Sequence, residues 1–263
     1  MTATHKKLST LTAACLALLS LSPSARSQAV LFHDRVPAPR GLITNDFATF
    51  HPGSAAAKAS EGWIALSGSL FAVGHAAWTG VPDAQEPRPG KTKPTGATRS
   101  AALRVVTQRS DIGNAAVSFK LYNQGLTSSA ALPAKPYDGV HALLRYQDES
   151  HYYVASISRR DNTVSIKKKT PEGFVDLTPG IAHKARYDAW QRVTVAIRDS
   201  DEGVLLQVYV AGTLVASVVD EGNGGAPLRG VGKVGLRGDN CEFLFDDFQV
   251  TALPAAPPAE SGA

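Results

Sequence analysis

Three short runs decide the fold: HALLRY at 141–146, YYVASISRRDN at 152–162 and VSIKKK at 164–169. Each alternates apolar and polar residues at period two, the mark of a half-buried strand rather than a helix. Turn residues such as Asp161 and Asn162 separate them, so they read as three consecutive antiparallel strands. Val140, Ala142, Leu144 and Tyr146 would face a core, with Tyr153, Ala155 and Ile157 beside them and Val164 and Ile166 beyond. The opposite face would then carry His141, Arg145, Tyr152, Ser156 and Lys167 side by side. A one-residue slip would invert any strand and exchange Tyr152 for Tyr153. A face of His, Arg, Tyr and Lys suits no core; it suits an anionic sugar polymer.

The pattern continues outward. Val117, Phe119 and Leu121 alternate with Ser118, Lys120 and Tyr122; Val193, Val195 and Ile197 follow the same rule, as do Leu206, Val208 and Val210. Turns fall at 211–212, 221–225 and 238–240. No segment of helical length carries a 3.6-residue period. Ten to twelve such strands predict an all-β chain, a two-sheet antiparallel β-sandwich.

Residues 1–27 read differently. A basic start (Lys6, Lys7), an apolar stretch from Leu8 to Leu21 and a small-residue exit predict a signal peptide, and with it a secreted protein, extracellular or periplasmic. The apolar stretch is short for a membrane span, and no membrane association is expected. The formal charge of +4 includes Lys6, Lys7 and Arg26 from this leader and no acid, so the remainder is close to neutral. A case for an anionic partner therefore rests on local clustering. Cys15 lies in the leader and leaves Cys241 alone, so no intramolecular disulfide is expected and the core must hold the fold. Residues 28–41 read as an extended arm, 42–251 as one β-domain, and 252–263 as a disordered Pro/Ala-rich tail. Four prolines between 82 and 98 mark a long loop. Trp63 and Trp190 are expected in the core; Trp78, before that loop, could stack on a sugar ring or be buried.

The order of several pieces resembles the concanavalin A-like lectin/glucanase jelly roll, the group that includes laminin-G-like modules. They are YYV at 152–154, WQRVTV at 190–195, LQVYVAG at 206–212, GKVGLR at 232–237 and FDDFQV at 245–250, with NDF at 45–47, Trp63 and GSL at 68–70 near the start. The resemblance implies two stacked sheets with a glycan on the concave face. It also implies that a structural calcium ion could sit near the first and last strands, where Asp46 and Asp247 would be its ligands or else cap and hydrogen-bond those strands. The fold hosts lectins, hydrolases, lyases and adhesion modules, so it does not choose an activity.

The residues narrow the choice. β-Elimination on a polyuronate needs a cation to neutralise the sugar carboxylate, a base for the C5 proton and an acid for the leaving oxygen. Arg145 has the planar fork for the first. His141 or a tyrosine suits the second. Tyr152 suits the third, with Lys167 beside it to stabilise negative charge. Lys120, Tyr122, Ser156 and Trp78 would complete substrate binding if the strand at 118–122 joined the same sheet. This face is similar to that of jelly-roll polysaccharide lyases, which require no cofactor. The expectation is a monomeric polysaccharide lyase acting on an acidic glycan; a non-catalytic lectin-like module is the alternative. Hydrolysis fits less well, because the Glu-x-Asp-x-x-Glu run of retaining glucanases of this fold is missing, and Glu242, Asp246 and Asp247 read as structural. Lys167–Lys169 reads as a solvated or edge-guarding run rather than a nucleic-acid patch.

Overall fold

The computed structural model describes residues 28–34, 36, 39–80, 102–130 and 132–255. The leader, the whole Pro-rich loop and the last eight residues lie outside them. In chain order the elements are β1 (Val30–Asp34), β2 (Gly41–Asn45), the one-turn helix α1 (Asp46–Phe50), β3 (Trp63–Ser67), β4 (Ser69–Val73), β5 (Ala76–Trp78), β6 (Ala102–Thr107), β7 (Ala115–Leu126) and β8 (Gly139–Asp148). Then come β9 (His151–Arg159), β10 (Thr163–Thr170), β11 (Gly173–Asp176), β12 (Ile181–Ala182), β13 (Trp190–Asp199), β14 (Val204–Val210), β15 (Thr213–Asp220), β16 (Lys233–Asp239) and β17 (Cys241–Ala252).

These strands form two antiparallel sheets. The nine-stranded sheet runs β15-β14-β13-β7-β17-β5-β4-β2, with β1 also paired to β17. The eight-stranded sheet runs β11-β10-β9-β8-β16-β6-β3, with β12 on β10. The fold is therefore the predicted two-sheet antiparallel sandwich, consistent with a jelly roll. Within the segment expected as an arm, Val30–Asp34 forms β1 and pairs with β17 of the larger sheet.

The alternation explains why the sheets stack. Phe119, Leu121, Val193, Val195, Phe245 and Phe248 of the larger sheet face Trp63, Val105, Leu144, Tyr153, Ile157 and Leu236 of the smaller, and all are buried in one core. Each such side chain contributes about 1.5–3 kcal/mol by leaving water. Trp63 makes edge contacts with Phe245 and Phe248, at centroid distances of 5.7 and 4.9 Å. A second, smaller apolar cluster joins Val106, Leu143, Tyr146, Tyr152 and Val154. These residues sit on the outer face of the eight-stranded sheet, between the polar positions that the sequence singles out.

One expectation about this face is corrected. Arg145 adopts φ +46, and the pairing of β8 with β9 shifts register between Leu144 and Asp148. This bulge breaks the period of two. It turns Arg145 inward and Tyr146 outward, the reverse of the simple alternation. Trp190 is also not core: it is 44% exposed at the start of β13 and packs on Tyr122.

Candidate functional site

The outer face of the eight-stranded sheet holds a groove of about 290 Å³. β8 supplies His141, β9 supplies Val154 and Ser156, β10 supplies Lys167, β11 supplies Phe174, and β16 supplies Arg237 and Asp239; Tyr137 stands just before β8. Strand register makes the convergence. His141 lies opposite Ser156 on one side and opposite Arg237 on the other, while Lys167 lies opposite Val154.

At the centre, His141 Nδ1 is 2.8 Å from Ser156 Oγ, and Nε2 is 3.4 Å from Asp239 Oδ2. Arg237 Nε meets the same carboxylate oxygen at 2.7 Å. Burial pushes the His141 imidazolium down, against the pull of Asp239, so the ring is neutral near pH 7. Burial alone would raise the Asp239 carboxyl, but the hydrogen bond and charge of His141, together with Arg237, outweigh it and hold the group at about 2. An ionised Asp239 favours the tautomer with its proton on Nε2. Nδ1 then keeps its lone pair on the side of the Ser156 hydroxyl.

Three of the four residues expected to be catalytic share this face, but only two of them line the groove. His141 and Lys167 line it. Tyr152 shares the face but is 2% exposed, packed against Tyr146 and Phe174 at 5.1 and 6.2 Å. Arg145 is excluded. Its bulged backbone sends the guanidinium to Asp199 Oδ1 and the Leu228 carbonyl at 2.9 Å, and to Asn114 Oδ1 at 2.8 Å.

Ser156 is in the groove; the other expected binding residues are not. β7 belongs to the larger sheet. Lys120 therefore projects from the opposite side of the sandwich, 3.4 Å from Asp246, and Tyr122 stacks beside Trp190. Trp78 is in β5 of the same larger sheet, where its Nε1 donates to Gln124 Oε1 at 2.7 Å. Asp46 begins α1 and accepts from the Gly68 amide at 3.3 Å. Asp247 pairs with Arg192 at 2.7 Å and His33 at 3.2 Å. Among the described residues no group of three or more His, Cys, Asp or Glu is placed to hold a metal ion.

Four groove residues escape the sequence reading: Tyr137, Phe174, Arg237 and Asp239. For Arg237 a signal exists. Leu236 must face the core, so its neighbour must face outward. Asp239 reads as part of a turn, and nothing local distinguishes it. Arg237 supplies at this face the fork expected of Arg145.

No family model matches the chain, and no curated protein matches it. Among solved structures it is similar to a Bacillus subtilis protein of unknown function with a galectin-like fold, at 13% identity and a TM-score of 0.51, covering 86% of this chain and all of that one. It is also similar to the carbohydrate-binding module CBM66 from Bacillus subtilis, at 12% identity and a TM-score of 0.49, over 73% of this chain and 96% of that one. An alginate lyase in complex with an alginate trisaccharide follows at 7% identity and 0.49, over 85% and 98%. At these identities the likeness shows the sandwich fold, and activity must be argued from the groove.

Proposed function

We propose that the chain is a secreted carbohydrate-active protein that holds an acidic glycan in this groove and cleaves it by β-elimination. The observation that carries the reading is the convergence of His141, Lys167 and Arg237 on one groove with an aromatic rim, Tyr137 and Phe174. Aromatic faces suit the apolar side of a sugar ring. Guanidinium and ammonium groups suit its carboxylate. The leader-like residues 1–27 support export.

The groove residues divide the work of this reaction. Arg237 and Lys167 neutralise the uronate carboxylate and make the C5 proton acidic. Neutral His141, held by Asp239, takes that proton, and Asp239 stabilises the imidazolium that results. The electron pair forms the C4–C5 double bond as the C4–O bond breaks. Tyr137 lines the groove, as Tyr152 does not, and its hydroxyl gives the leaving oxygen a proton.

A second reading has its own support. Arg237 already pairs with Asp239 at 2.7 Å and Lys167 with Asp176 at 2.8 Å, an arrangement that would also serve a lectin-like module that binds without turnover. Incubation with alginate, glucuronan, pectate and unsulfated glycosaminoglycans separates the two. A lyase gives ultraviolet-absorbing unsaturated product that vanishes in His141→Gln. Binding with no product on any polymer overturns the lyase and leaves the lectin.

A further inference from the structure

The groove does not end at Lys167. On the far side of this residue a second depression of about 560 Å³ continues over β9 and β10, bounded by Arg159, Asp161, Ser165, Asp176 and Thr178. Lys167 lines both. Its ion pair with Asp176, at 2.8 Å, marks the junction. A polymer lying along the sheet would place one sugar in each compartment.

The compartments differ in charge. With His141 neutral, the first holds Arg237 and Lys167 against Asp239, one cation in excess. The second holds Arg159 and Lys167 against Asp161 and Asp176, an even balance in which Asp161 engages Arg159 and Asp176 engages Lys167. Arg159 is itself engaged, by Asp161 at 2.6 Å and Ser165 Oγ at 3.0 Å. Asp161 is fixed in its turn by the Thr163 hydroxyl at 2.7 Å, so it cannot swing away freely. A carboxylate entering here would meet two carboxylates and no unpaired cation. An uncharged sugar would meet acceptors for its hydroxyl protons in Asp176, Ser165 and Thr178.

Building on the acidic-glycan reading, we infer that the ligand is a heteroglycan, with a uronate in the compartment of His141 and Arg237 and an uncharged sugar in the adjoining one. A homopolyuronate would place like charges together in the second compartment, which disfavours it. The test compares tetrasaccharides of equal length on the intact chain: homopolymeric oligoglucuronate and oligomannuronate against alternating unsulfated chondroitin and hyaluronan. Kd is taken from injections too short for turnover. The alternating ligands should bind at least about tenfold more tightly, equivalent to about 1.4 kcal/mol. Asp176→Asn and Asp161→Asn should narrow that gap by improving the homopolymers. Homopolymer binding as tight as that of the alternating ligands, or a gap that neither variant changes, overturns this inference and leaves the acidic-glycan reading standing. Absence of binding by all four overturns both.

Discussion

At the scale of single residues, the chemistry turns on an imidazole that burial keeps neutral and a carboxylate that stays charged. His141→Gln should lower turnover by about 10²–10⁴-fold, the usual loss for a general base. The acid limb of the kcat/KM profile should fall below the ordinary histidine value of about 6.5, because burial lowers the His141 pKa. Asp239 raises the ring's pKa against that burial. Asp239→Asn should therefore move the acid limb to still lower pH while reducing kcat, whereas a purely structural Asp239 would leave the limb in place. The same groups govern stability. A histidine lowered in the folded state contributes stability fully present above about pH 6.5 and lost as the pH falls towards its folded value. Asp239, at about 2 in the fold against about 3.9 unfolded, adds a second loss over that lower window. Melting curves against pH should show both losses in the wild type; His141→Gln should abolish the first and shrink the second, because His141 is part of what holds the Asp239 carboxyl low.

At the scale of elements, alternation was a reliable guide wherever the backbone stayed extended. It placed Tyr153, Ala155 and Ile157 inward and His141, Ser156 and Lys167 outward, as they lie. It failed at Arg145, where φ is +46 and no glycine or asparagine announces the bulge. The only trace is across the sheet. Gly232 lies where a Cβ would come within 2.6 Å of the Arg145 carbonyl carbon, so glycine is needed there for β16 to approach the bulge. Sheet membership was equally hidden: nothing in the run 118–122 says that β7 pairs with β13 and β17 rather than with β8. The groove's own cation, Arg237, came from the strand read only as a fold signature. The correction at Arg145 is testable. Arg145→Met should cost about 3 kcal/mol, since Asp199, Asn114 and the Leu228 carbonyl lose their shared partner. Glycan affinity of the folded variant should be unchanged. Arg237→Met should lose affinity, and some stability with it because Asp239 loses its partner at 2.7 Å; affinity lost in Arg145→Met and kept in Arg237→Met would return Arg145 to the site.

At the scale of the molecule, two ties hold the sheets in the relation that makes the groove. The first is polar. Lys168 and Asp220 are both fully buried, and Lys168 Nζ also donates to the Gly225 carbonyl at 2.7 Å. Tyr153 completes the network, donating to Asp220 at 2.7 Å and accepting from the Leu228 amide at 2.9 Å. It joins β9 and β10 to the end of β15 and the loop that follows. Lys168→Met would leave Asp220 buried without its cation, and chemical denaturation should show a loss of about 3–5 kcal/mol. A loss under about 1 kcal/mol would mean that water reaches the pair.

The second tie is the arm. β1 lies on β17 and brings Phe32 against Trp63 and Phe248 at 5.6 and 6.1 Å. Asp34 accepts the Trp63 indole proton at 2.6 Å, and Arg109 donates to the Leu31 carbonyl at 2.6 Å. All of these contacts are far along the chain from the partners they hold, so the first strand seals a core built by the rest. A chain lacking residues 28–34 should keep its groove, because no groove residue belongs to β1, and its glycan affinity should match the full chain's below the melting point. It should nonetheless lose about 2–3 kcal/mol from Phe32 alone. At about 2–4 °C per kcal/mol for a domain of this size, that is a fall of about 4–12 °C in Tm. Far-UV circular dichroism and tryptophan fluorescence should still fall together, because Trp63 reports on the single core that both sheets share. In the full chain, separate transitions in the two signals would mean that β1 and its neighbours melt as an independent unit, and the arm would then be a local clasp rather than part of the core.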